Sequence, residues 1–218
     1  MADCAWLHGA LASGKHSDCV VTCGVDEYRL HKVVLCSQSS FFDRAFSEKE
    51  TGRVELREDC PQTINAMIEF LYTGDYASVP YPNRKLQGDY AVDVFGFSLE
   101  ENDIVGPYED RIDSVPELLH HTRVYALGVF YDIDPLCVTA ASKFREACRN
   151  QHSRDDFPPA AYEAYTTTEE AHRGIRDIAV DIILEYRSLL DKPELQTVMR
   201  ETELGFDIVM AARRENFL

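Results

Sequence analysis

Apolar positions along this chain follow two periods, one of two residues near the start and one of 3.6 almost everywhere else. Trp6, Leu7 and Leu11 recur at helical spacing between Asp3 and Ala12, and Ser13-Gly14 stops the pattern, which predicts a short amphipathic helix. Asp18-Cys19-Val20-Val21-Thr22-Cys23 is rich in β-formers; with Gly24-Val25-Asp26-Glu27 as the bend and Tyr28-Arg29-Leu30 as the return, it predicts a hairpin. From Lys32 the helical period takes over. Val33, Val34, Leu35 and Cys36 form one apolar group and Phe41, Phe42, Ala45 and Phe46 another, with Ser37-Gln38-Ser39-Ser40 between them, so the pattern predicts a pair of short helices. Charge alternates with Val54 and Leu56 over Arg53 to Glu58, as in a strand with one buried face.

Asp59 or Cys60 can cap the next helix, with Pro61 in its first turn and Gly74 as its stop; Ile64, Met67, Ile68 and Leu71 fall at i, i+3, i+4 and i+7. Two more helices are predicted at Pro116–Tyr131, with Leu118, Thr122, Tyr125 and Val129 on one face, and at Pro135–Cys148, with Leu136, Ala140 and Phe144. Residues 77–115 break the regularity with eight acidic and three basic side chains, and a connection this long is an insertion, in which Tyr90 to Phe97 can add one strand. Asn150 to Pro159 reads as a second break. Beyond it Ile175, Ile178, Ala179, Ile182, Tyr186 and Leu189 make a strong helical stripe, and Phe206, Val209, Met210, Arg213 and Phe217 a weaker one. The implied division is 1–150 and a helical 151–218.

Composition narrows the partners. Apolar residues at 45% and charged residues at 28% are ordinary globular usage. The net charge of −16 repels phosphate backbones and anionic lipid, so neither nucleic acid nor a membrane is expected as a direct partner. No run reaches a membrane span, and the Met1-Ala2-Asp3-Cys4 start lacks a secretory pattern, so the expected location is cytoplasmic or nuclear. Seven cysteines, an odd number in a chain this size, point to reduced thiols.

Several segments imitate chemistry. Gly9-Ala10-Leu11-Ala12-Ser13-Gly14-Lys15-His16 nearly spells a phosphate loop, but a helix precedes it, a strand follows it, and His16 stands where the magnesium-binding hydroxyl belongs. Cys19 and Cys23, four apart in a strand, are about 13 Å apart, too far for one zinc with bonds near 2.3 Å. His120 and His121 diverge by about 100° on a helix. Neither a metal nor another cofactor is therefore expected. Cys36, Cys137 and Cys148 sit among apolar residues as small core side chains. A Cys–His nucleophile pair is a spatial arrangement, so that reading stays open.

The order of elements is filled by phrases that closely resemble a BTB/POZ domain: His16-Ser17-Asp18-Cys19-Val20-Val21, Tyr28 through Phe42 with its Leu30-His31-Lys32, and Phe70-Leu71-Tyr72-Thr73-Gly74-Asp75-Tyr76. Val124-Tyr125-Ala126-Leu127 and Pro135-Leu136 look like later helices of that family, and the end of the chain resembles the short helical tail of filamentous-fungal members. The resemblance implies an α+β fold, a BTB/POZ-type small sheet flanked by helices, here with a long acidic insertion and a helical C-terminal extension. It implies no catalysis. It implies protein partners: a second copy, a cullin-type ubiquitin ligase scaffold, or a transcriptional co-regulator. Trp6, Leu7 and Leu11 then become dimer contacts, without the extra N-terminal strand that swapped dimers exchange. Asp18 and Lys32 match a charged pair lining a pocket in family members, beside the plainer roles of strand cap and solvated lysine. Val115-Pro116-Glu117 loosely fits the apolar-x-Glu motif of scaffold binders, though Glu117 also suits any helix N-terminus.

Overall fold

A computed structural model of the chain describes residues 5–48, 51–56, 60–78, 115–151 and 155–214. They divide between two compact units, Met1–Ser114 and Val115–Leu218. Together they are α+β, with a single three-stranded sheet among the described residues.

The first unit opens with helix α1 (Ala5–Ser13), followed by β1 (Cys19–Cys23) and β2 (Asp26–Leu30). These strands pair antiparallel from Cys19 opposite Leu30 to Cys23 opposite Asp26, closed by Gly24, whose φ of 57° a side chain would resist. Helices α2 (Lys32–Cys36) and α3 (Ser40–Glu48) cross to β3 (Arg53–Glu55), which lies parallel to β1 with Val21 opposite Val54, giving the order β2-β1-β3. Period-two alternation sends Cys19, Val21, Cys23, Tyr28, Leu30 and Val54 into the core. Helix α4 (Pro61–Thr73) is buried almost all round, from Thr63 and Ile64 through Ala66 to Tyr72, as befits a central helix, and α1 and α2 pack on it. It starts with Cys60 as N-cap and Pro61 in its first turn, and it ends where Gly74, at φ 78°, returns its N–H to the Phe70 carbonyl at 2.8 Å. The strand expected at Tyr90 to Phe97 lies outside the described residues.

The second unit is helical: α5 (Glu117–Phe130), α6 (Asp134–Gln151), α7 (Phe157–Thr167), α8 (Gly174–Glu185), a 3-10 turn (Arg187–Asp191), α9 (Pro193–Glu201) and α10 (Leu204–Arg214). Helix α5 packs on α6 and α7, α6 on α8, and α8 on α10. The α5–α6 approach depends on Gly128, since a Cβ there would sit 2.7 Å from Cys137 Sγ and 3.2 Å from its main-chain nitrogen. The second unit begins at Val115, and in it Leu118, Leu136 and Phe144 on α5 and α6 join a core shared with α7 and α8.

Three expectations change. The break read over Asn150 to Pro159 gives way to α7 from Phe157, whose Pro158 and Pro159 occupy a first turn where no main-chain N–H is needed. The stripe from Ile175 to Leu189 is two elements, with α8 ending at Glu185 and Leu189 buried from the 3-10 turn. In α10 the face turned inward is Leu204, Ile208 and Ala212, while Phe206 at 67% and Val209 at 54% exposure stand outside. The stripe read from the sequence through Phe206, Val209 and Arg213 is thus on the exposed side of α10, and its last member, Phe217, lies outside the described residues.

Candidate interaction surface

In the first unit, the residues that open β1 and α2 are tied together through the main chain. The Asp18 carboxylate accepts the Lys32 N–H at 2.7 Å, and the Asp18 N–H donates to the Leu30 carbonyl at 3.1 Å. Asp18 therefore supplies from a strand the cap that His31, at the N-cap position of α2, does not give with its own side chain. The Lys32 ammonium lies 5.6 Å from the centre of the Phe46 ring, a cation–π distance. The structure thus brings the pair together, with the lysine's charge spread over an aromatic face.

Next to them His31 is bonded at three atoms. Its main-chain N–H donates to Tyr72 Oη at 2.9 Å, its Nδ1 meets the same hydroxyl at 2.8 Å, and its Nε2 meets the Lys15 carbonyl at 2.9 Å. Gln38 adds a link by donating to the Leu71 carbonyl at 2.8 Å. Sequence reasoning quoted His31 and Tyr72 only as parts of phrases. The signal that could have found the link is chemical, since a tyrosine deep in a buried helix needs a partner for its hydroxyl.

The three residues expected as dimer contacts separate along α1. Trp6 is 71% exposed, Leu7 is half-buried, and Leu11 at 5% belongs to the core of its own unit. In the second unit Val115 and Glu117 are half-buried on either side of exposed Pro116, with Glu117 in the first turn of α5. Glu117 Oε1 lies 3.9 Å from Nε2 of fully buried His121. Burial first, then His120 and Lys143, pushes the His121 imidazole down to about 3, so at neutral pH the ring is neutral.

Four of the thiols are poorly disposed to react. Desolvation pushes the Cys19 and Cys137 thiols up to about 12 and raises Cys36 and Cys148 as well, whereas a nucleophilic cysteine needs its thiolate at neutral pH. Among the described residues, no group of three or more His, Cys, Asp or Glu side chains is placed to hold a metal, and no helix is long and apolar enough to cross a membrane. The segment imitating a phosphate loop is helical through Ser13 and leads into a strand, the reverse of the context a phosphate loop requires.

Residues 7–86 match the family model of the BTB/POZ domain. Kelch-like protein 40 of Mus musculus is 34% identical over 73 residues, which is 33% of this chain and 12% of that protein, and its Homo sapiens counterpart is 33% identical over the same length. Kelch-like ECH-associated protein 1A of Danio rerio is 37% identical over 51 residues, covering 22% of this chain and 8% of that protein. The matched part of the chain thus spans about an eighth or less of these curated relatives. Among solved structures, the BTB domain of zebrafish PATZ1 aligns with a TM-score of 0.42 at 14% identity, covering 66% of this chain and 91% of that one. The chain carries a BTB/POZ domain over residues 7–86.

Proposed function

We propose that the chain is a non-catalytic protein-interaction module acting as an adaptor, one that brings a target to a cullin-type ubiquitin ligase scaffold in the cytoplasm or nucleus. The observation that carries the interaction reading is Trp6, the only tryptophan of the chain, standing 71% exposed on α1 within the matched BTB/POZ segment. An exposed, rigid aromatic is the kind of side chain that anchors a protein interface. On this reading Val115 and Glu117 contact the scaffold, and Asp18 and Lys32 contribute to a partner-facing patch.

Calorimetric titration of the full chain with the N-terminal region of a cullin tests the ligase link. Wild type should bind, and Glu117→Lys should weaken binding at least tenfold, about 1.4 kcal/mol. Because that change also opposes the α5 dipole, Val115→Ser serves as a second probe, with thermal melts confirming that both variants fold. A wild-type chain that binds no cullin overturns the link.

A second reading, a structural homo-oligomeriser without a ligase partner, is favoured by the same open Trp6 together with Leu7. Light scattering separates the two. An oligomer that Trp6→Glu returns to monomer, with no cullin binding, supports the second reading; a strict monomer that binds a cullin removes it.

A further inference from the structure

Helix α10 is held on its inner side by more than the packing of Leu204, Ile208 and Ala212. Its Asp207 carboxylate accepts the Tyr165 hydroxyl of α7 at 2.6 Å and the Arg173 guanidinium, at the start of α8, at 2.7 Å. Gly205 adds a close approach, since a Cβ there would lie 3.1 Å from the Met199 carbonyl of α9. The rotation of α10 about its own axis is therefore fixed, and with it the face left in solvent.

That face has an order. Phe206 and Val209 are exposed, and Met210 beside them is half-buried. Glu203, whose carbonyl accepts the first helical bond from the Asp207 N–H, precedes them, and Arg213 follows. Glu203, Phe206, Met210 and Arg213 are spaced three, four and three residues apart, the period of a seam along which one helix packs on another. Both end residues are exposed, and among the described residues neither has an ion-pair partner. The row is also balanced about Ile208: Glu203 and Arg213 lie five residues to either side of it, Phe206 and Met210 two. An unlike partner would have to bring a base opposite Glu203 and an acid opposite Arg213. A second copy laid antiparallel already has both.

We propose that α10 is a self-association surface. Two copies pair antiparallel about a two-fold axis at the level of Ile208, with each Glu203 facing Arg213 of the other copy and each Phe206 facing Met210 of the other copy. The net charge of −16 makes two copies repel over most of their surface, so they can meet only where basic side chains offset acidic ones, as Arg213 and Arg214 do in the last turn of α10. The eleven residues of α10 span about 16 Å, too short to bury the roughly 1,200 Å² of a stable interface. The pair therefore forms reversibly, with a dissociation constant on the order of 100 μM. This surface belongs to the helical unit, uses neither α1 nor Glu117, and does not depend on the adaptor reading.

Sedimentation equilibrium of the full chain carrying Trp6→Glu, which removes association through α1, isolates it. At about 0.15 M salt and protein concentrations up to roughly 500 μM, that chain should dimerise. Adding Glu203→Arg or Arg213→Glu should weaken the dimer about tenfold, because two-fold symmetry sets like charges opposite each other at both ends. An equimolar mixture of the two variants should recover the parent affinity, since each repelling pair then becomes an attracting one. Thermal melts check folding; should a charge variant melt early, Phe206→Ser decides, with loss of the dimer expected. A Trp6→Glu chain that stays monomeric over this range, single variants that associate as well as their parent, or a mixture that stays dissociated overturns the proposal.

Discussion

The two units are fastened differently. In the sheet-bearing unit the polar ties run from side chain to main chain at element ends: Asp18 to Lys32 N–H, His31 to the Lys15 carbonyl, Gln38 to the Leu71 carbonyl. Its Arg53–Glu27 ion pair, 2.6 Å long, is about half exposed at both partners and contributes little. In the helical unit the charged ties run from side chain to side chain between helices, beside main-chain ones such as Tyr125 Oη accepting the Gly174 N–H at 3.0 Å and Arg176 donating to the Tyr165 carbonyl at 3.3 Å. Arg123 grips Glu163 with two bonds of 2.8 and 3.1 Å, Arg145 meets Asp181 at 2.9 Å, and Arg173 meets Asp207 at 2.7 Å. The reason lies in the elements. Strand and short-helix ends expose main-chain donors and acceptors that must be satisfied locally, whereas long helices satisfy most of their own and leave more of the joining to side chains. Salt should therefore act on the helical unit, and loss of one hydroxyl on the sheet unit.

The contrast can be broken or sharpened by four measurements. The largest effect is expected from acid on the helical unit. His121 titrates near 3 when folded against about 6.5 unfolded, so below about 6.5 the unfolded chain binds the extra proton and stability falls with pH, reaching a loss of about 3 kcal/mol by about pH 4. Hydrogen exchange of α5 and α6 peptides should show this slope, and His121→Asn should flatten it. Gly128→Ala should follow, costing about 1–3 kcal/mol in chemical denaturation, because the added methyl meets Cys137 main chain that cannot move aside. Tyr72→Phe should cost the sheet unit about 1–3 kcal/mol at neutral pH by stripping His31 of two contacts, with little dependence on salt. Arg123→Ala is the smallest change, about 1 kcal/mol or less and shrinking as salt is added, since Arg123 is 35% and Glu163 21% exposed. If Tyr72→Phe proves salt-sensitive and Arg123→Ala does not, the contrast is wrong.

Much of the fold was legible because local signals and burial coincide in particular elements. Pro61 and Gly74 bracket α4, and the β-formers from Cys19 to Cys23 mark the strand that the structure shows there. Legibility failed where two rules competed. Pro158-Pro159 suggested a break, yet proline is welcome in the first turn of α7, and α10 offers apolar residues on two faces of which only Leu204, Ile208 and Ala212 find neighbours. That α5 and α6 share a core with α7 and α8 is a matter of long-range packing, which spacing does not encode. The candidate surface was readable as residue types and not as bonds. Asp18 and Lys32 were visible as a charged pair, but their link runs through a main-chain N–H, and the His31–Tyr72 contact spans 41 positions.

The most direct test of the interaction reading is sedimentation velocity on the full chain, alone over a range of concentrations and then mixed with a cullin N-terminal region. The account predicts a faster boundary in at least one of these settings. A single monomeric boundary throughout, indifferent to both concentration and scaffold, would contradict it.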